Sequence, residues 1–182
     1  MGMAATIPYY TVDELERFKP DGNRYELLDR VLLVTPPPSF SHELVVSRIV
    51  SILLNAIQAP GHGFVFTHGA VSCPPKTQLE PDILVLPPVM PASDKWQDVG
   101  KHWLAVEVLS RSSHIYDREF KRDAYLALGV NEVGLVDRVE RCVEIARQPG
   151  ARETVRDTII WRAPTIGLQI EVDVPALFLG ID

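Results

Sequence analysis

Apolar and polar positions follow two rhythms along this chain, one helical and one strand-like. Thr11-Val12-Asp13-Glu14 is a capping-box pattern that opens a short helix to about Phe18, stopped by Pro20-Asp21-Gly22. Arg24–Leu28 and Val31–Thr35 read as the arms of a hairpin turning at Asp29-Arg30, without the favoured glycine at the turn's second position. After Pro36-Pro37-Pro38, Ser41 is placed to cap a long helix over residues 42 to 59. Val45, Ile49, Ile52, Leu53 and Ala56 form its apolar stripe, and Pro60-Gly61 ends it.

Strand signals then take over. One strand is predicted over 63–73, and a loop with Pro74-Pro75-Lys76 leads to two near-continuous apolar runs at 81–86 and 104–109, of the kind covered on both faces of a sheet. The polar, proline-bearing connection 87–100 between them is long enough to be functional or mobile. Asp117, Lys121, Tyr125 and Leu128 recur at helical spacing over 114–128, with Gly129 as a stop. Further strands are predicted at 132–136, 141–146, 154–161 and 168–172, an antiparallel extension of the sheet. The expected fold class is α/β (α+β), a single domain over 1–182 with a mixed central sheet flanked by helices, an N-terminal hairpin and extra C-terminal strands.

Composition changes this picture little. With 182 residues, 46% hydrophobic and 23% charged, the chain has length for one domain and a sizeable core. No apolar run approaches the ~20 residues of a membrane span, and residues 1–10 lack the basic flank and apolar core of a signal peptide, so a cytoplasmic protein with no membrane partner is expected. Cys73 and Cys142 have no zinc-type spacing. A net charge of −6 argues against a protein that coats nucleic acid nonspecifically, although six arginines from Arg138 to Arg162, and Arg111, Arg118, Lys121 and Arg122 nearer the centre, leave room for local basic surface. The plainer account of each is a solvated face.

Candidate chemistry lies in the two apolar runs, because each carries one acid, Asp82 and Glu107. An ionised carboxylate there is costly unless paired, hydrogen-bonded or metal-bound. On neighbouring strands ~4.8 Å apart the two would close on one divalent cation. Lys121, on the following helix, could reach back over the strand ends. Acid, acid and lysine suit metal-assisted phosphodiester hydrolysis: the cation activates water and the ammonium orients it or neutralises developing charge.

Each residue also has a structural account. Asp82 could cap backbone amides at a strand edge, Glu107 could form a buried ion pair with Lys121 or an arginine, and Lys121 could make an i,i+4 pair with Asp117 worth a few tenths of a kcal/mol. Glu43 complements the dipole of its helix or serves the site, and His42 is a satisfied histidine or a ligand or base. Tyr125 packs with its hydroxyl satisfied or takes part in chemistry, and Glu26 belongs to the hairpin or to the mouth of the site. Two close acids repel, so Asp82→Asn and Glu107→Gln are expected to leave the fold intact or slightly stabilised. A serine hydrolase using Ser112 or Ser113 with His114 is a weak rival: adjacent residues rarely form a triad, and there is no nucleophile elbow. No Walker-type phosphate loop is present.

Several motifs in this order resemble the Uma-two endonuclease family within the PD-(D/E)XK restriction-endonuclease-like superfamily. They are Arg24-Tyr25-Glu26-Leu27, Pro36-Pro37-Pro38-Ser39 with His42, Pro81-Asp82, Val106-Glu107-Val108-Leu109-Ser110, Asp117 with Lys121, Tyr125, Gly129-Val130 with Glu132, and Val136-Asp137. The resemblance implies a restriction-endonuclease-like core in which Asp82, Glu107 and the Val108 backbone carbonyl hold Mg²⁺ or Mn²⁺. The superfamily lysine expected two residues after the glutamate is Leu109 here, and Lys121 matches the lysine that replaces it in Uma-like chains. It further implies DNA as the substrate and, as in much of the superfamily, a possible homodimer. A catalytically idle nucleic-acid or protein-binding module on the same fold is the alternative.

Overall fold

The computed structural model describes residues 8–110 and 117–181. Ser112, Ser113, His114 and Arg111 lie outside the described residues. Helix α1 (Val12–Leu15) carries the predicted capping box in full, with Thr11 and Glu14 each bonding the other's backbone N–H, and it leads to the hairpin β1 (Arg24–Leu28) and β2 (Val31–Thr35). Asp29 and Arg30 both adopt positive φ, 46° and 71°, so the turn takes its left-handed form without glycine.

The long helix α2 (Phe40–Leu53) starts two residues earlier than expected because Ser39 is its cap, its Oγ accepting from His42 N–H. Its last residues continue as a π-helical turn, Leu54–Gln58. This 19-residue helix holds an 18-residue window with a mean hydropathy of 1.4, long and apolar enough to cross a membrane by length and composition, which corrects the expectation that no such run exists. The buried side chains Val45, Ile49, Leu53 and Ile57 face the core.

The predicted strand at 63–73 is two strands, β3 (Phe64–Phe66) and β4 (Val71–Cys73), in different sheets. Between them Gly69 packs so closely that a Cβ there would lie 2.8 Å from Leu84 Cδ2, so a larger residue would require that side chain to shift. β5 (Thr77–Leu79), expected as loop, pairs with β4 and β1 and completes a four-stranded sheet ordered β2-β1-β5-β4.

The central sheet has six strands in the order β10-β9-β8-β7-β6-β3, formed with β6 (Ile83–Leu86), β7 (His102–Val108), β8 (Val130–Asp137), β9 (Cys142–Gln148) and β10 (Ala151–Val155). Only β7 and β8 run parallel; the other neighbours are antiparallel. Between β7 and β8 lie a π-helical turn, Asp117–Lys121, and α3 (Arg122–Ala127), ended at Gly129 with φ 89°. The predicted strand at 154–161 also divides. Its first half is β10, and its second, β11 (Thr158–Arg162), pairs with β12 (Gln169–Asp173) in a separate two-stranded sheet before α4 (Val174–Leu177). The C-terminal third therefore extends the central sheet only through β9 and β10.

Alternation along β6 and β7 divides the core. Ile83, Val85, Leu104 and Val106 face α2, α4 and the β11–β12 pair, whereas Leu84, Leu86, Ala105 and Leu109 face Tyr125 and the β4 side. Every residue of both strands is buried, as the unbroken apolar runs predict.

Candidate active site

The two acids come together at one end of the central sheet. Ile83 pairs with Val106, and continuing that antiparallel register by one residue sets Asp82 opposite Glu107, where side chains share a face. Asp82 precedes β6, at the sheet's end, so both layers reach it. Its Oδ2 accepts from Val108 N–H at 2.8 Å and lies 3.1 Å from His42 Nε2, at the start of α2. Its Oδ1 accepts from Arg24 Nη1 at 3.0 Å. Burial opposes its charge, but the His42 hydrogen bond, the Arg24 charge and the Val108 amide together push the Asp82 pKa down.

Glu107 is 1% exposed and stands among acids. Its Oε1 accepts from Lys121 Nζ at 2.9 Å and Tyr125 Oη at 2.7 Å. The same Nζ lies 2.9 Å from Glu26 Oε2 and 3.3 Å from Asp117 Oδ1. Three carboxylates thus converge on one ammonium. Burial is the main cause that raises Glu107, with Asp117, Asp82 and Glu26 adding to it against Lys121, while Glu107, Glu26 and Asp117 raise Lys121 against its own burial. With more carboxylates than cations around one point, the cluster favours keeping a proton on Glu107.

Glu26 is fully buried rather than at the mouth of the site: Oε1 accepts from Glu80 N–H at 2.8 Å while Oε2 faces Lys121. Glu43 projects to solvent, 59% exposed, with Oε1 3.4 Å from His42 Nδ1. Tyr125 is wholly buried, and its hydroxyl pKa is raised by burial and then by Glu107. Asp82, Glu107 and Val108 border one cleft of about 1680 Å³, walled by the proline ridge Pro36–Pro38 on one side and the β8–β9 turn on the other.

Arg24 is the site neighbour that the sequence reading left in the hairpin. It and Glu26 sit two residues apart on β1 and so share a face, but only pairing with β5, read as loop, brings that face to Glu80 and Asp82. The other arginines are mostly engaged locally. Arg118 bridges Asp137 and Glu144, Arg147 pairs with Glu132, and Arg138 donates to Leu109 O, Ser39 Oγ and Ser41 Oγ, which gives Ser41 a role other than capping.

The fold is α+β with a mixed central sheet, two opposed acids at its end and a lysine from the following helix beside one of them. The chain belongs to the Uma2 family, described as "Putative restriction endonuclease", whose profile matches residues 12–174. A crystal structure of a putative nuclease belonging to DUF820 from Anabaena variabilis shares the fold, with a TM-score of 0.79 at 17% identity over 92% of this chain and 97% of that one. No protein of curated function matches the chain.

Proposed function

We propose that this protein is a metal-dependent endonuclease that hydrolyses DNA phosphodiester bonds with an activated water. The observation that carries the reading is the placement of Asp82 opposite Glu107 at the floor of an open cleft, with Lys121 on Glu107. Among the described residues no three His, Cys, Asp or Glu side chains are gathered for a metal, and the donors proposed here are two carboxylates with backbone oxygen. Hard oxygen donors, in a corner where Asp82, Glu107, Glu26 and Asp117 outnumber Arg24 and Lys121, fit Mg²⁺ or Mn²⁺.

Asp82 and Glu107 would hold the ion, with the Val108 carbonyl as the third donor. A bound divalent cation supplies Lewis acidity toward a phosphate oxygen and lowers the pKa of water. Lys121 keeps Glu107 oriented and would offset, from behind that carboxylate, the charge developing in the reaction, and Tyr125 donates to the same carboxylate oxygen. His42 and Val108 N–H hold the Asp82 carboxylate in one orientation. Cutting both strands of a duplex calls for two such sites. We assign them to a homodimer through the C-terminal strands, where β10 ends the central sheet with its outer edge unpaired among the described residues.

Supercoiled plasmid incubated with Mg²⁺ or Mn²⁺ should be nicked, and chelator should stop it. Asp82→Asn or Glu107→Gln should lower the rate by on the order of 10³-fold. Full activity in both variants would remove this site from the mechanism. Mn²⁺ binding without nicking would point to another substrate or a missing activator, whereas no Mn²⁺ binding at all would favour the idle binding module, to which the deep burial of Lys121, 2% exposed, also lends weight.

A further inference from the structure

Arg24 has no role in the chemistry above, yet it holds one of the two carboxylates on which that chemistry depends. Its Nη1 donates both to Asp82 Oδ1 and to the Glu80 carbonyl oxygen, each at 3.0 Å, and 25% of the side chain remains exposed where it lines the cleft. Both oxygens of Asp82 are therefore engaged, Oδ1 by Arg24 and Oδ2 by His42 and Val108 N–H. A cation that takes Asp82 must approach the carboxylate where the guanidinium sits, and the two positive charges repel at such range.

The lysine side of the site responds differently to the same event. Lys121 touches Glu26 and Asp117 as well as Glu107, so it keeps two carboxylates when a cation draws on Glu107. Arg24 has no such reserve. Burial opposes its charge and is outweighed by Glu107, Asp82 and Glu26, but the first two are the cation's own donors. The third already accepts from Glu80 N–H and faces Lys121.

We infer that Arg24 is a phosphate-binding residue of the substrate cleft, held on Asp82 in the cation-free protein and released to a substrate phosphate once a cation occupies Asp82. The inference rests on the endonuclease reading. A guanidinium presents two parallel N–H donors that match phosphate oxygens, and attachment to a paired strand keeps Arg24 over the cleft floor. Binding then becomes ordered. The acid-rich floor repels a polyanion until the cation arrives, and the cation's arrival both neutralises the floor and frees one more positive group to face the nucleic acid.

The test combines calorimetric titration of Mn²⁺ with fluorescence anisotropy of a labelled DNA duplex, with and without Ca²⁺, for the wild type, Arg24→Ala and Arg24→Gln. Glutamine can still donate to the Glu80 carbonyl, so it carries the comparison if the alanine variant does not fold. Both variants should bind Mn²⁺ more tightly than the wild type, by roughly three- to tenfold, the scale of one partly exposed charge pair. Both should also lose most of the increase in duplex affinity that Ca²⁺ gives the wild type. Weaker Mn²⁺ binding in the variants would make Arg24 a residue that merely orients Asp82, and an unchanged Ca²⁺ increment would remove it from phosphate binding. Either result overturns the inference and leaves the endonuclease reading standing. A wild type that binds no Mn²⁺ overturns both.

Discussion

The two acids face each other one register step beyond the Ile83–Val106 pair, yet their surroundings treat them in contrary ways. Asp82 is met by three donors from three elements, Arg24 of β1, His42 of α2 and the Val108 amide of β7, and the fold holds it ionised. Glu107 is met by a tyrosine and by a lysine that it must share with Glu26 and Asp117, and the fold pushes it toward neutrality. One corner is satisfied without a cation; the other carries the unsatisfied charge. Attraction for a divalent ion therefore originates on the Glu107 side, while the geometry of its seat is set on the Asp82 side.

Removing the shared cation should disturb this arrangement most. Lys121→Ala leaves Glu107, Glu26 and Asp117 facing one another in the interior, so unfolding free energy in urea should fall by on the order of 3–5 kcal/mol. The i,i+4 pair with Asp117 expected from sequence is present, but as the longest of three contacts within a buried cluster. A loss of only a few tenths of a kcal/mol would return Lys121 to the status of an ordinary helical pair.

Neutralising each acid in turn separates the corners. Asp82→Asn forfeits the Arg24 pair and the preference for the ionised form, and should cost on the order of 2 kcal/mol at neutral pH. This reverses, for Asp82, the expectation that relief of repulsion would leave the variant as stable as the parent. Glu107→Gln should be near neutral, or stabilising at high pH, because it removes the charge that burial resists. Linkage gives the two acids opposite pH signatures. Asp82, lowered from 3.8, contributes stability that is complete above that value and is lost as pH falls toward about 2. Glu107, raised from 4.5 to about 8, binds its proton more tightly when folded, so its contribution is greatest below pH 4.5 and is lost as pH rises through about 8. Melting temperature, measured without metal from pH 3 to 9, should decline toward both ends, with the alkaline decline missing in Glu107→Gln and the acid decline reduced in Asp82→Asn.

Much of this was legible in the chain, and the rest hid for identifiable reasons. The unbroken apolar runs around Asp82 and Glu107 marked fully buried strands, and the single acids within them are the pair that the fold brings face to face, each with the partners a buried carboxylate needs. Lys121 and Tyr125 followed from helical spacing. Arg24 and Glu26 remained in a hairpin because their face is decided by β5, a three-residue strand between Pro-rich and acidic positions that no periodicity of such length can reveal. The same limit joined β3 to β4 and β10 to β11: each pair is separated by a short polar turn after which the strand enters another sheet, and local pattern does not encode sheet membership. Ser41 was read as the cap of the long helix, but Ser39 takes that place, and Ser41 accepts from Arg138 instead.

The smallest expected effect tests whether the Glu107 corner is organised by the lysine or by the whole network. Tyr125→Phe removes the 2.7 Å hydrogen bond to Glu107 Oε1 while Lys121 still donates to that oxygen, so the loss should be about 1 kcal/mol. The hydroxyl helps Glu107 more when the acid is ionised, since a charge-assisted bond is the stronger kind. The cost should therefore grow as pH rises through the range in which Glu107 loses its proton, and urea unfolding of wild type and Tyr125→Phe at pH 6 and pH 9 measures that growth. A cost independent of pH would mean that Glu107 does not change its protonation there, and the contrast between the two corners would reduce to hydrogen-bond geometry. A cost approaching that of Lys121→Ala would show that tyrosine and lysine act as one unit, with neither able to hold the carboxylate alone.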